Sequence, residues 1–200
     1  MSEIKNTILD LISSISPERG DKSGFTNFLI KSDFFHAPAS TDYHLSIKGG
    51  LAIHSLSVYN TLKNLTAFIS TKFDPDTLII SGLFHDLCKV NFYKDDFRWK
   101  KDEKNQWIRV PYYSVEDLFP LGHGEKSVII LQKYFKLTDY EIMAIRWHMG
   151  AWDAQSYQQQ KAFHAAVKFT KLLPSLMIAD QLSTYFFEDE KEEKTPCLDL

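Results

Sequence analysis

The stretch DTLIISGLFHD, Asp76 to Asp86, is apolar over most of its length and then closes on a histidine and an acid. Asp74-Pro75 stands just ahead of it, an N-cap residue followed by proline at the first helical position. The reading is a buried helix that runs through Leu87. A carboxylate at that depth needs a partner or a cation. Neighbours on a helix point about 100° apart, so a metal fits between His85 and Asp86 if other helices bring further ligands.

Outward from this segment, most of the chain also reads as helix. Ile4, Ile8, Leu11, Ile12 and Ile15 recur at helical spacing up to Pro17, and a second segment around Phe25, Phe28 and Leu29 runs towards Phe34. From His36 to Gly50, the residues Pro38, Ser40, Asp42 and Gly49 predict a loop. Leu51, Val58, Leu62, Leu65 and Ile69 form one stripe of a long helix. A capping box, Thr138-x-x-Glu141, opens a helix through Ile142, Ile145 and His148 that Gly150 can close. The last helix is expected to start at Pro174 and to carry Leu176, Met177, Asp180, Thr184 and Phe187 on one face. Between Phe97 and Tyr113, Trp99 and Trp107 flank a polar turn and Ile108 and Val110 alternate beyond it, which predicts an inserted β-hairpin. The sum is an all-α domain over residues 1–187, core 34–187, with one small β excursion. Residues 188–200, which open with EDEKEEK, are expected to be a solvated tail.

Composition narrows the class. The chain has 200 residues, enough to bury a core, and a formal charge of -3, so a broad basic surface for duplex DNA is not expected. Cys88 and Cys197 cannot supply a disulfide framework or a cysteine-based zinc site. No apolar run reaches the roughly 18 residues of a membrane span, and Met1 to Lys5 lack signal-peptide character. A soluble cytoplasmic protein is the expectation.

Candidate ligands for the doublet lie on other segments. His54 shares the apolar stripe of its helix, His123 stands at the entrance to EKSVIILQKYF, His148 ends the capped helix, and Asp180 interrupts the apolar SLMIADQLS. Taken singly, each could be a satisfied core residue; together they form the order His…His-Asp…His…His…Asp. Imidazoles and carboxylates without thiolates suit one or two divalent ions of Mn, Fe, Co, Ni or Zn, with Mg possible. Asp86 has two oxygens with which to bridge a pair, and ions about 3.5–4 Å apart clamp a phosphoryl group for in-line attack.

With these residues in place, the chain resembles the HD-domain superfamily of metal-dependent phosphohydrolases, a helical fold named for its His-Asp doublet. The resemblance is nearest to the HD domains of bacterial 3′-to-5′ exoribonucleases. It runs through FFHAPAS (Phe34 to Ser40), HLSIKGGLAIHSLSV (His44 to Val58), FHDLCKV (Phe84 to Val90), WHMG (Trp147 to Gly150) and Ala179-Asp180. It implies that His54, His85, Asp86 and Asp180 hold a first metal, and that His123 and His148, with Asp86 bridging, hold a second. Asp86 and Lys89 are then the catalytic candidates. Two departures bear on substrate: Met149 stands where that pattern tends to have a second histidine, and 200 residues leave no room for the OB-fold of those enzymes. The expected partner is a small phosphorylated molecule such as a nucleotide, with RNA less favoured by the net charge. Oligomeric state is not legible.

Supporting residues carry alternatives. Lys89, four after His85, could meet a substrate phosphate or simply end the helix. His44 resembles a family histidine near the pocket, or is a loop residue. Glu125 and Asp153 could orient ligand histidines, or be exposed charges. Cys88 reads as a small buried apolar residue. In the hairpin, Arg98 and Trp99, with Lys100, Lys101, Arg109 and Trp107, could stack and hold a nucleotide, or the tryptophans could staple the hairpin to the body. Two other functions fit the same residues: a di-iron oxygenase of HD type, and a non-catalytic nucleotide-binding module.

Overall fold

In the computed structural model, which describes residues 1–188, the helical periodicities become eight α-helices and one two-stranded sheet among the described residues. In chain order they are α1 (Ser2–Ser14), α2 (Lys22–Lys31), α3 (Gly50–Phe68), α4 (Pro75–Phe84), the hairpin β1 (Tyr93–Lys101) and β2 (Trp107–Val115), α5 (His123–Gln132), α6 (Asp139–Trp147), α7 (Tyr157–Phe169) and α8 (Leu172–Leu182). The fold is mostly helical, as expected, and none of the described helices is long and apolar enough to cross a membrane.

α3 is the axis of the packing. It buries Leu51, Ala52 and Tyr59 in a cluster with Ile8, Phe25, Leu29, Ile80 and Phe84, and Val58 and Leu62 in a second with Leu172, Leu173 and Leu176. A helix apolar on two sides has to lie between neighbours. Gly82 sets how near α4 comes: a Cβ there would stand 2.8 Å from the Cα of Tyr59. Gly50 performs the same office for the preceding loop, since a Cβ would meet the Leu45 carbonyl oxygen at 2.1 Å. The loop from His36 to Gly49 is thereby pressed onto the start of α3.

The caps follow the residues. The Asp74 side chain accepts from the Asp76 amide, and Thr138 and Glu141 form the predicted capping box. Glu141 does more: fully buried, it accepts from the Arg19 guanidinium at 2.7 and 2.8 Å and from the Thr77 hydroxyl at 2.7 Å. One carboxylate therefore ties α4, α6 and the turn after α1.

Four expectations need correction. α4 stops at Phe84 rather than Leu87; His85 is its C-cap and Asp86 leaves the helix with φ -99° and ψ 21°. α8 begins at Leu172, two residues before Pro174, because the Thr170 hydroxyl takes up the Leu172 amide and proline needs no partner in a first turn. The hairpin is longer than Phe97 to Tyr113, and Trp99 pairs with Arg109 while Trp107 pairs with Lys101. α7 was not anticipated, although a second capping box, Ser156 with Gln159, opens it.

Candidate metal centre

Five separate elements deliver the six expected residues to one place. His54 lies in the first turns of α3, His85 and Asp86 in the turn that ends α4, His123 at the first position of α5, His148 at the C-cap of α6 and Asp180 near the end of α8. The imidazoles form an arc. Ring centroids of His54 and His85 are 5.3 Å apart, those of His85 and His148 4.9 Å, and those of His148 and His123 5.1 Å.

Asp86 sits inside this arc, and its two oxygens divide the histidines between them. Oδ2 faces His54 Nε2 at 3.6 Å and His85 Nε2 at 3.7 Å; Oδ1 faces His123 Nε2 at 2.7 Å and His148 Nε2 at 3.3 Å. Asp180 closes the first side, with Oδ1 at 3.2 Å from His54 Nε2 and 3.9 Å from His85 Nε2. Among the described residues, donor atoms close enough to share one ion occur in the groups His54–His85–Asp86, His85–His148–Asp180 and Asp86–His123–His148, and in His44–His54–Glu188 beside them.

The orientation of each ring follows from its other nitrogen. His85 Nδ1 lies 3.0 Å from the Gly82 carbonyl oxygen and His148 Nδ1 lies 2.7 Å from that of Ile145. A carbonyl can only accept, so both Nδ1 atoms carry the proton. Those carbonyls belong to the last turns of α4 and α6, where helix geometry leaves them free. The Nε2 atoms of His85 and His148 are buried and have no hydrogen-bond partner. Lone pairs aimed at carboxylate oxygens repel unless a cation lies between. The donor set thus fits a divalent ion.

A family model described as HD domain matches residues 51–185, more than half of the chain. The chain belongs to the HD-domain family. Comparisons with curated proteins and with solved structures return no match. HD domains are helical, bind divalent metals and make up a superfamily of metal-dependent phosphohydrolases, in keeping with both the fold and this cluster.

The electrostatics of this HD domain are uneven across the arc. Burial lowers the basicity of His54, yet hydrogen bonds with Asp180 and Glu188 overcome it and push its pKa up to about 9. His85 bonds only to backbone, so burial wins and brings it down to about 3. Burial works against the Asp86 carboxylate too, but Lys89, His85 and His123 hold it well below the usual range. His123, despite burial, is raised to about 10 by Cys88 and Asp86.

Supporting residues divide. Lys89 sits in a 3-10 turn, not on a helical face with His85, and its Nζ is 2.6 Å from Asp86 Oδ2. His44 joins the arc: its ring is 5.0 Å from that of His54. Cys88 is buried as expected but touches His123, Sγ to Nδ1 at 3.3 Å. Glu125 and Asp153 orient no histidine; both pair with Arg146, which lies over the Trp147 ring. In the hairpin, Arg98 is bonded to Asp42 through both nitrogens and touches none of the six, and Trp99 and Trp107 are 66% and 64% exposed, so neither staples the strands down.

One residue at the centre was missed. Glu188, assigned by composition to the solvated tail, is 5% exposed, and its carboxylate oxygens lie 3.0 and 3.1 Å from His54 Nδ1. The rest of the expected tail, 189–200, lies outside the described residues. No local pattern marked Glu188, because it opens a run of charge.

Proposed function

We propose that the chain is a metal-dependent phosphohydrolase acting on a nucleotide, a short oligonucleotide or another small phosphate ester. The observation that carries the reading is the division of Asp86, one oxygen towards His54 and His85 and the other towards His123 and His148. His54, His85, Asp86 and Asp180 would hold one cation, and His123, His148 and Asp86 a second. Bound divalent ions of the Mn, Fe, Co, Ni, Zn or Mg type supply Lewis acidity towards a phosphoryl oxygen and acidify water.

The protein's own contribution is preparation. Asp86 and Asp180 bring the negative charge that a cation needs, and the backbone bonds of His85 and His148 aim both Nε2 lone pairs inward. Lys89, with its side chain 14% exposed, offers an ammonium that can pass from Asp86 Oδ2 to a substrate phosphate. The preference for nucleotides rests on the resemblance of FFHAPAS and HLSIKGGLAIHSLSV to exoribonuclease HD domains, and on Arg98, which bonds Asp42 in the loop that carries His44.

The test is elemental analysis of purified protein together with hydrolysis of bis(p-nitrophenyl) phosphate and a panel of nucleotides across several divalent metals. Wild type is expected to hold metal and turn over; Asp86→Ala is expected to lose both. Equal activity in the two proteins refutes the proposal.

A further inference from the structure

We propose that Glu188 is a positioning residue for this centre: its carboxylate accepts the Nδ1–H of His54 and so keeps that ring's Nε2 directed at Asp86 and Asp180. The inference rests on the metal reading above. His54 has a need that His85 and His148 do not share. His85 and His148 occupy helix C-caps, where free carbonyls take their Nδ1 protons, whereas His54 lies inside α3 (Gly50–Phe68), whose carbonyls there are spent on helix bonds. An acceptor for His54 has to come from another element. Glu188 supplies it, at 3.0 and 3.1 Å.

The chain after α8 is shaped to make the delivery. Glu188 follows Asp180 by eight residues. In an uninterrupted α-helix that separation would place it about 80° away around the axis, whereas a separation of seven differs by only about 20°. The segment Ser183–Phe187 is instead a π-turn, whose wider i→i+5 bonding absorbs one extra residue and restores Glu188 to the Asp180 side. The turn is pinned to α3 by the Ser183 hydroxyl, which donates to Thr61 Oγ1 at 3.0 Å with Ser183 fully buried. Asp180 and Glu188 thus hold the His54 ring from its two nitrogens. On the far side of Glu188, the His44 Nε2 is 3.9 Å from Oε2, so the carboxylate is enclosed between two imidazoles. A buried carboxylate is costly unless it is paired in this way, and such an acceptor raises the basicity of the ligand ring.

The test uses the full chain with Mn²⁺ as probe, its dissociation constant measured by chelator competition, and ¹⁵N NMR of the His54 ring in metal-free protein above about pH 10, where a ring with its pKa at about 9 is neutral and its tautomer can be read. Glu188→Ala is expected to weaken Mn²⁺ binding by about 10–100-fold and to erase the pure Nδ1–H signature of His54. Glu188→Gln, whose carbonyl still accepts, should restore most of both. Glu188→Asp keeps the charge but shortens the reach, guards against misfolding of the alanine variant, and should behave as alanine does. Tight wild-type binding that Glu188→Ala or Glu188→Asp leaves unchanged overturns the positioning role. A wild type that binds no Mn²⁺ overturns the metal reading instead.

Discussion

Adding one methyl group at Gly82 tests whether the spacing of α3 and α4 is set as tightly as the structure implies. A Cβ on Gly82 would approach the Tyr59 Cα to 2.8 Å, and ordinary van der Waals contact begins only at 3.4 Å. The obstacle is backbone, so it cannot swing aside; the two helices must part by about 0.6 Å, a strain in a close-packed interior. Overpacking of this kind costs about 1–3 kcal/mol, while alanine returns about 1 kcal/mol of helix propensity. The net is a loss of about 1 kcal/mol, or a Tm lower by about 2–4 °C for a chain of this size. Propensity alone demands the opposite sign. The displacement also separates His54 on α3 from His85, whose ring is bonded to Gly82 itself. Scanning calorimetry of wild type and Gly82→Ala, with and without Mn²⁺, reads both effects: a lower melting point and a smaller rise on adding metal. A variant that melts above wild type refutes the close-approach argument.

Removing metal should be equally visible. At a free ion concentration of 100 times its Kd, binding adds about 2.7 kcal/mol, so treatment with a chelator is expected to lower Tm by about 5–10 °C and to stop hydrolysis; calorimetry decides. Arg19→Met leaves the fully buried Glu141 carboxylate without its cation and should cost about 3 kcal/mol by urea unfolding, with catalytic constants unchanged in the folded fraction. Lys89→Met is expected to reduce kcat/KM by about 10²-fold, as for loss of one preorganised charge donor, with little effect on metal content measured by elemental analysis. Trp99→Ala is expected to raise KM for a nucleotide ester several-fold and to leave that for p-nitrophenyl phosphate alone; a nucleotide KM the same in variant and wild type removes Trp99 from recognition.

Four of the six candidate ligands were legible because each breaks an apolar rhythm: a polar residue on a buried face has to be used. His54, Asp180 and the His85-Asp86 doublet all show this against leucine and isoleucine neighbours. The end of α4 was not legible, since the apolar pattern continues through Leu87. What stops the helix is one local bond and one tertiary one: the His85 ring takes the Gly82 carbonyl of its own last turn, and the Ser127 hydroxyl on α5 accepts from the Cys88 amide at 2.9 Å. Glu125 and Asp153 were drawn to Arg146 for the same kind of reason, a charge that only the folded chain sets between them. α7 announced itself through Ser156-x-x-Gln159, but its glutamine-rich first turns carry too thin an apolar stripe for periodicity to register. Glu188 was hidden by its neighbours: composition averages over a run and cannot single out the one acid that turns inward.

The arrangement of the arc has a consequence for biosynthesis. His54 emerges from the ribosome well before Asp180 and Glu188, which grip it and stand more than a hundred positions later. Until α8 has left the exit tunnel, the nascent polypeptide can gather only part of the cluster, without Asp180 and Glu188. Closure of the cluster therefore waits until α8 is seated against α3, and until then His54 stands without either of those two carboxylates.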